Sequence, residues 1–156
     1  MVSDAQNILV THIAGLTQTT LALPALRSLR HHFPKSRITI VSSAMAADLL
    51  TLAGTADEIL PLARLRQADL LKPGTIYRSA KVIHELRGRA YDLVIEFEAN
   101  TESGIILRLV NARTRLNRPV SKGMSVILER LARALRTQPP KLIHAAHDYL
   151  KILEPL

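Results

Sequence analysis

Residues 8–26 read Ile8-Leu9-Val10-Thr11-His12-Ile13-Ala14-Gly15-Leu16-Thr17-Gln18-Thr19-Thr20-Leu21-Ala22-Leu23-Pro24-Ala25-Leu26, and their reading decides the fold. A short apolar run passes through a polar loop holding one glycine into a helix whose opening is Thr-rich and marked by Pro24. Strand, loop and helix in that order are the unit of an α/β protein. At such a junction the carboxyl end of a strand meets the positive end of a helix, and ligands collect there.

The pattern repeats outward from this stretch. Asn7–Thr11 and Ile38–Ser42 are short and apolar on both faces, as buried parallel strands are. Between them Leu23, Leu26, Leu29, Arg30 and Phe33 follow helical spacing, and Pro34 closes the helix. Residues 44–53 read as a second helix ended by Gly54, and Glu58–Leu62 as a third strand. Residues 63–75 form a longer connection with a turn signal at Lys72-Pro73-Gly74. Ile76–Arg89 is predicted as a helix with Ile76, Ala80, Ile83 and Leu86 or Arg87 inward. A fourth strand is predicted at Asp92–Phe97, a helix at Ser103–Val110 and a short strand at Thr114–Asn117. Helices at Met124–Arg136 and Leu142–Leu153 flank the breaker Pro139-Pro140. Repeated β-α-β units predict a doubly wound, Rossmann-like parallel sheet with helices on both faces. Gly15 stands alone after the first strand, so the G-x-G-x-x-G dinucleotide fingerprint is absent.

At 156 residues the chain reads as a single domain, 1–156, able to bury roughly two thirds of its unfolded surface. Aromatics make up 3%, so the core rests on Leu, Ile, Val and Ala. There is no cysteine, which excludes disulfides and thiolate metal sites and is compatible with a reducing compartment. The start lacks a basic leader, and no stretch approaches the ~20 apolar residues of a membrane span. A soluble, cytoplasmic protein is expected. The net charge of +8 is concentrated in residues 61–90, where Arg64, Arg66, Lys72, Arg78, Lys81, Arg87 and Arg89 face only Asp69 and Glu85. That excess points to an anionic partner or to a merely basic soluble surface. With five Phe and Tyr residues in all and no helix-turn-helix, no nucleic acid is expected.

Thr20 to Leu26, Phe33-Pro34 and Ile38–Val41, in this order and spacing, resemble the amino-terminal part of the ADP-heptose:lipopolysaccharide heptosyltransferases, glycosyltransferase family nine. Tyr91-Asp92-Leu93-Val94-Ile95-Glu96 with Asn100 and Ser103 is similar to that family's fourth strand and following loop. Ala112-Arg113-Thr114-Arg115 and the segment from His144 to Leu153, with Tyr149-Leu150, extend the likeness. The resemblance implies the first, acceptor-binding domain of an inverting GT-B enzyme that moves a sugar from a nucleotide-sugar to a lipopolysaccharide-type acceptor. A second domain would hold the donor. On this reading the chain is the acceptor half, inactive alone, and no metal or other cofactor is expected in it.

The family's Gly-Asp pair falls on Thr17-Gln18, and its loop Arg on His12. In the family that Asp is the proposed general base. An amide has no basic lone pair of useful pKa, so Gln18 occupies the catalytic place without its chemistry. Glu96 and Glu98 sit two apart at the end of the fourth strand, where alternation would aim both to one side. They are expected to bind sugar hydroxyls or, with Glu98 as the candidate, to act as a substitute base. The simpler reading is a solvated strand end whose acids pair with nearby Arg. The acceptor-binding expectation falls on His12, Thr17, Thr19, Thr20, Glu96 and Asn100; the simpler role of the threonines is helix capping. His31-His32 lack a third ligand, so no metal site is expected. Partners expected are a phosphorylated glycolipid acceptor, an anionic membrane surface on the inner face of the bacterial inner membrane, and a second copy or separate donor domain. The competing reading is a non-enzymatic family relative that binds phosphorylated glycolipid or a protein.

Overall fold

The computed structural model describes residues 5–62, 73–98, 101–117 and 149–153. In chain order the elements are β1 (Asn7–His12), α1 (Leu16–His32), β2 (Arg37–Ser43), α2 (Ala44–Ala53), β3 (Glu58–Leu62), α3 (Pro73–Arg87), β4 (Ala90–Glu96), α4 (Thr101–Leu109) and β5 (Asn111–Asn117). Residues 149–152 are helical again. The five strands pair in parallel in the order β3-β2-β1-β4-β5. The chain therefore has the expected Rossmann-like α/β architecture.

Composition explains why the sheet is interior. β1 is buried from Ile8 to His12 and β2 from Ile38 to Ser43. On one face Ile8, Val10, Leu93, Ile95 and Phe97 meet Ala22, Ala25, Leu26 and Leu29 of α1, Ala46 and Leu50 of α2, and Tyr149 and Ile152. On the other Leu9, Ile13, Val41 and Val94 meet Leu86 of α3 and Ile106 of α4. Each fully buried Leu or Ile contributes about 1.5–3 kcal/mol relative to exposure.

Several local expectations are corrected. α1 starts at Leu16, so Pro24 lies inside the helix rather than at its opening. Pro24 removes one backbone donor, and the carbonyl left over belongs to Thr20, an exposed turn. The threonines do not cap: Gly15 is the N-cap with extended backbone, while Thr19 and Thr20 hydroxyls donate back to the Gly15 and Leu16 carbonyls. Pro73 is the first residue of α3, where its missing N–H costs nothing, rather than part of a turn. In α3 Ser79 and Leu86 are buried and Ala80 and Arg87 exposed, so the inward stripe sits one residue from the expected Ala80. β4 starts two residues earlier than predicted and ends at Glu96, and β5 starts at Asn111. The predicted helix 124–136 lies outside the described residues, as do residues 142–148.

Gly54 ends α2 in the left-handed region, φ 62 and ψ 25, with its N–H donated to the Thr51 carbonyl at 3.2 Å. A Cβ there meets nothing within 4 Å, so a substitution is penalised by backbone conformation alone. Gly54→Ala is expected to lower stability by about 1 kcal/mol in urea unfolding, and Gly54→Asn by less.

Candidate functional site

β1 and β4 are neighbours, yet the helices that follow them pack on opposite faces of the sheet. Their carboxyl ends therefore form a topological switch point, the position at which open α/β sheets have their ligand crevice. Register places Thr11 opposite Glu96, and Phe97 N–H extends the ladder by donating to the Thr11 carbonyl at 3.1 Å. His12, Glu96, Phe97 and Glu98 thus converge at one strand-end junction, facing the first turn of α1.

His12 has no exposed surface. Its Nε2 stands 3.1 Å from Thr19 Oγ1, and that hydroxyl donates its hydrogen to the Gly15 carbonyl at 3.0 Å. A hydroxyl has one hydrogen to give, so the ring nitrogen is the donor and His12 carries its proton on Nε2. Nδ1 is then a bare lone pair, buried with no hydrogen-bond partner among the described residues. It lies 3.9 Å from Glu98 Oε1, the outer limit of an ion pair. Burial outweighs that distant carboxylate and lowers the imidazole pKa from 6.5 to about 4, so the ring is neutral at physiological pH. The edges of Phe97 and Tyr149 close around it, with ring centroids 6.0 and 5.8 Å away.

The two carboxyls do not share a side. β4 ends at Glu96 and the chain bends at 97–98, so strand alternation stops applying before Glu98. Glu96 is buried on the α4 side, hydrogen-bonded to the Ser103 hydroxyl. Ser103 Oγ is also 2.6 Å from the Glu98 carbonyl. The Ser103 hydroxyl is thus shared between the Glu96 carboxyl and the Glu98 carbonyl. Burial pushes the Glu96 carboxyl above its ordinary range, against the smaller downward pull of the Ser103 hydrogen bond. Glu98 turns the other way: Tyr149 OH donates to its Oε1, and 24% of its side chain is exposed. The Glu98 carboxyl and the neutral His12 imidazole thus lie together on one side of the strand ends, and the Glu96 carboxyl on the other.

Thr17 and Gln18 are exposed on the first turn of α1, which has no acidic residue and no side-chain cap. Gln18 folds back over Gly15, where an added Cβ would meet its Oε1 at 3.2 Å. Thr19 is buried against His12 and Thr20 is exposed. Asn100 lies outside the described residues. Tyr149 and Ser103 were not among the expected site residues. Each was legible only as part of the family likeness, because nothing local ties Tyr149 to a carboxylate 51 positions earlier.

The charge excess divides in two. Arg89 is held by Glu58 and Glu85, Arg37 by Glu58 and Arg30 by Asp57, so these cations close the amino end of the sheet. The Arg89 guanidinium keeps Glu58 below the usual carboxylate range. Arg78, Lys81 and Arg87 are exposed on α3, while Arg64, Arg66 and Lys72 lie outside the described residues. A groove of about 630 Å³ lined by Asn7, Phe33, Lys35 and Arg37 opens at the amino end as well, and among the described residues its walls carry no carboxylate. Among the described residues no cluster of three metal-ligating side chains forms, and no helix is long and apolar enough to cross a membrane.

No family model matches the sequence, and no curated protein matches it significantly. By structure the chain is similar to E. coli heptosyltransferase WaaC, solved with ADP and with ADP-2-deoxy-2-fluoro heptose (TM-score 0.70, 15% identity). The match covers 96% of this chain and 47% of WaaC. It is also similar to a glycosyl transferase family 9 protein from Veillonella parvula (TM-score 0.68, 24% identity), over 97% of this chain and 41% of that one. At these identities the likeness establishes a shared fold. The chain spans less than half the length of the proteins it matches.

Proposed function

We propose that this chain is the acceptor-binding domain of a heptosyltransferase-like glycosyltransferase of GT-B type, with Glu98 as the group that takes the acceptor proton. The observation that carries the reading is the partly exposed Glu98 carboxylate at the β1–β4 crevice, in a fold shared with WaaC. In the proposed reaction the O–H bond of the acceptor sugar breaks and its proton goes to Glu98. The oxygen's electron pair forms the new bond to the anomeric carbon of a nucleotide-sugar, and the nucleoside diphosphate leaves with the pair of the broken bond. Among the described residues neutral His12 is the one basic group beside Glu98, so no full cation there quenches a base. Exposed Thr17 and Gln18 supply hydrogen bonds to acceptor hydroxyls. Arg78, Lys81 and Arg87 supply positive charge toward a phosphorylated glycolipid or an anionic membrane surface.

The test is titration calorimetry of the chain with a phosphorylated lipid-core saccharide over a salt series. Binding that weakens as salt rises is expected; absence of binding at low salt would end the reading. Where transfer is recovered with a donor domain supplied, Glu98→Gln is expected to lower the rate ~10²–10⁴-fold with acceptor Kd little changed. A second reading, a binder without catalysis, is favoured by Gln18 in the place of the family's Asp. Tight acceptor binding with no transfer under any donor supply is its signature.

A further inference from the structure

One buried group takes no part in the reaction just described: His12 Nδ1. It bears a lone pair, because Nε2 is committed to Thr19, and among the described residues it has no hydrogen-bond partner. A buried acceptor left unsatisfied costs about 1–3 kcal/mol, and native folds keep few of them. The groups packed around the ring are Thr19 from α1, Phe97 and Glu98 from the end of β4, and Tyr149 from the last helical turn. Only Glu98 among these is charged. Its Oε1 faces Nδ1 at 3.9 Å, and Tyr149 OH holds that same oxygen. The gap is about 1 Å wider than a hydrogen bond, so an O–H on Glu98 reaches Nδ1 only as the carboxyl turns toward the ring.

We propose that His12 and Glu98 form a proton-holding pair: a proton taken up by the Glu98 carboxyl is donated as O–H to His12 Nδ1, with Tyr149 positioning the carboxyl for it. The inference rests on the reading of Glu98 as the base and adds where its proton is kept. When the acceptor O–H breaks and Glu98 becomes a carboxylic acid, its hydrogen bond to Nδ1 satisfies a lone pair that is otherwise orphaned. The acid is then stabilised at the moment it forms, and the proton leaves later through the exposed part of Glu98. His12 has no surface on the crevice, so it acts through Glu98 as a positioning residue and does not touch the substrate.

Long-range ¹H–¹⁵N spectra of the intact chain read both ring nitrogens of His12 and need no turnover. At pH 7.5 Nε2 is expected to carry the hydrogen and Nδ1 to be bare. On acidification the Nδ1 resonance and the Glu98 carboxyl carbon are expected to move together while the ring remains uncharged. In Glu98→Gln the amide N–H becomes a permanent donor, so Nδ1 is expected to shift to its hydrogen-bonded position at every pH. In Tyr149→Phe the shared movement is expected to be lost. A hydrogen on Nδ1 at pH 7.5, or an Nδ1 resonance indifferent to Glu98 in the wild-type titration, would overturn the pair. A full-size shared movement in Tyr149→Phe would remove Tyr149 from it. The pair observed in a chain that binds no acceptor would sink the proposed function and leave the pair standing; acceptor binding with Nδ1 protonated would do the reverse.

Discussion

Phe97→Ala is expected to cost about 3–5 kcal/mol of folding stability, read as the midpoint shift in urea unfolding. Phe97 is fully buried and one of the largest side chains in the core, at the point where β4 leaves the sheet. Its ring lies edge-on to His12 and 5.3 Å from the Tyr149 ring, so truncation opens a cavity between those two rings. The surrounding backbone is a central parallel strand on one side and a helix on the other, and neither collapses into the space. Domains of this size are stable by ~5–15 kcal/mol, so the loss is a large fraction of the whole. The same cavity admits water beside His12. The imidazole is therefore expected to titrate closer to its ordinary 6.5 than to about 4 in the variant, a second reading that distinguishes loss of packing at the site from generic destabilisation. Phe97→Leu keeps most of the apolar volume and should move both measurements much less.

Acid is the second large lever. In the folded protein His12 stays neutral down to about pH 4, whereas in the unfolded chain it gains its proton near 6.5. Between these values the unfolded state binds more protons, so stability falls as pH falls across that window. The difference of the two values corresponds to about 3 kcal/mol once pH 4 is reached, at 1.36 kcal/mol for each unit. Glu96 acts with the opposite sign. Its folded pKa is raised by burial, so its contribution is fully present below 4.5 and is lost as pH rises through the raised value. The lowered carboxyls Asp57, Glu58 and Asp92 weaken the fold only at still lower pH, through exposed pairs of small effect. The difference between wild type and His12→Gln isolates the imidazole, because Gln keeps a donor for Thr19 and does not titrate. Wild type is expected to lose ~3 kcal/mol more than His12→Gln between pH 7.5 and pH 4. Parallel curves would show that His12 is protonated in the folded state.

What was readable in the sequence, and what was not, follows from the range of the interactions. α2 and β3 have the predicted bounds because Gly54 and the apolar run of 58–62 are local signals. The opening of α1 was misread because Pro24 is a strong local mark that tertiary packing overrides: Ala22, Ala25, Leu26 and Leu29 bury one face on both sides of it. Glu98 could be singled out as a carboxylate at a strand end. That Glu96 would turn to the opposite side could not, because the bend at 97–98 and the Ser103 contact depend on where α4 packs. His12 stood out by its place in the loop, yet its complete burial depends on Tyr149 and Phe97 arriving from distant parts of the chain.

The link from Tyr149 to Glu98 also sets an order of events during folding. A ribosome that has just released the β1–β4 segment has made both the carboxylate and the imidazole, but the phenol that fastens Glu98 comes 51 residues later. Contacts so far apart in sequence close late, since the loop entropy they carry must be met by structure already formed. The sheet can therefore assemble as a nascent domain while its crevice is still unfinished. The Glu98 carboxyl is fastened in place only when the helical turn at 149–152 docks.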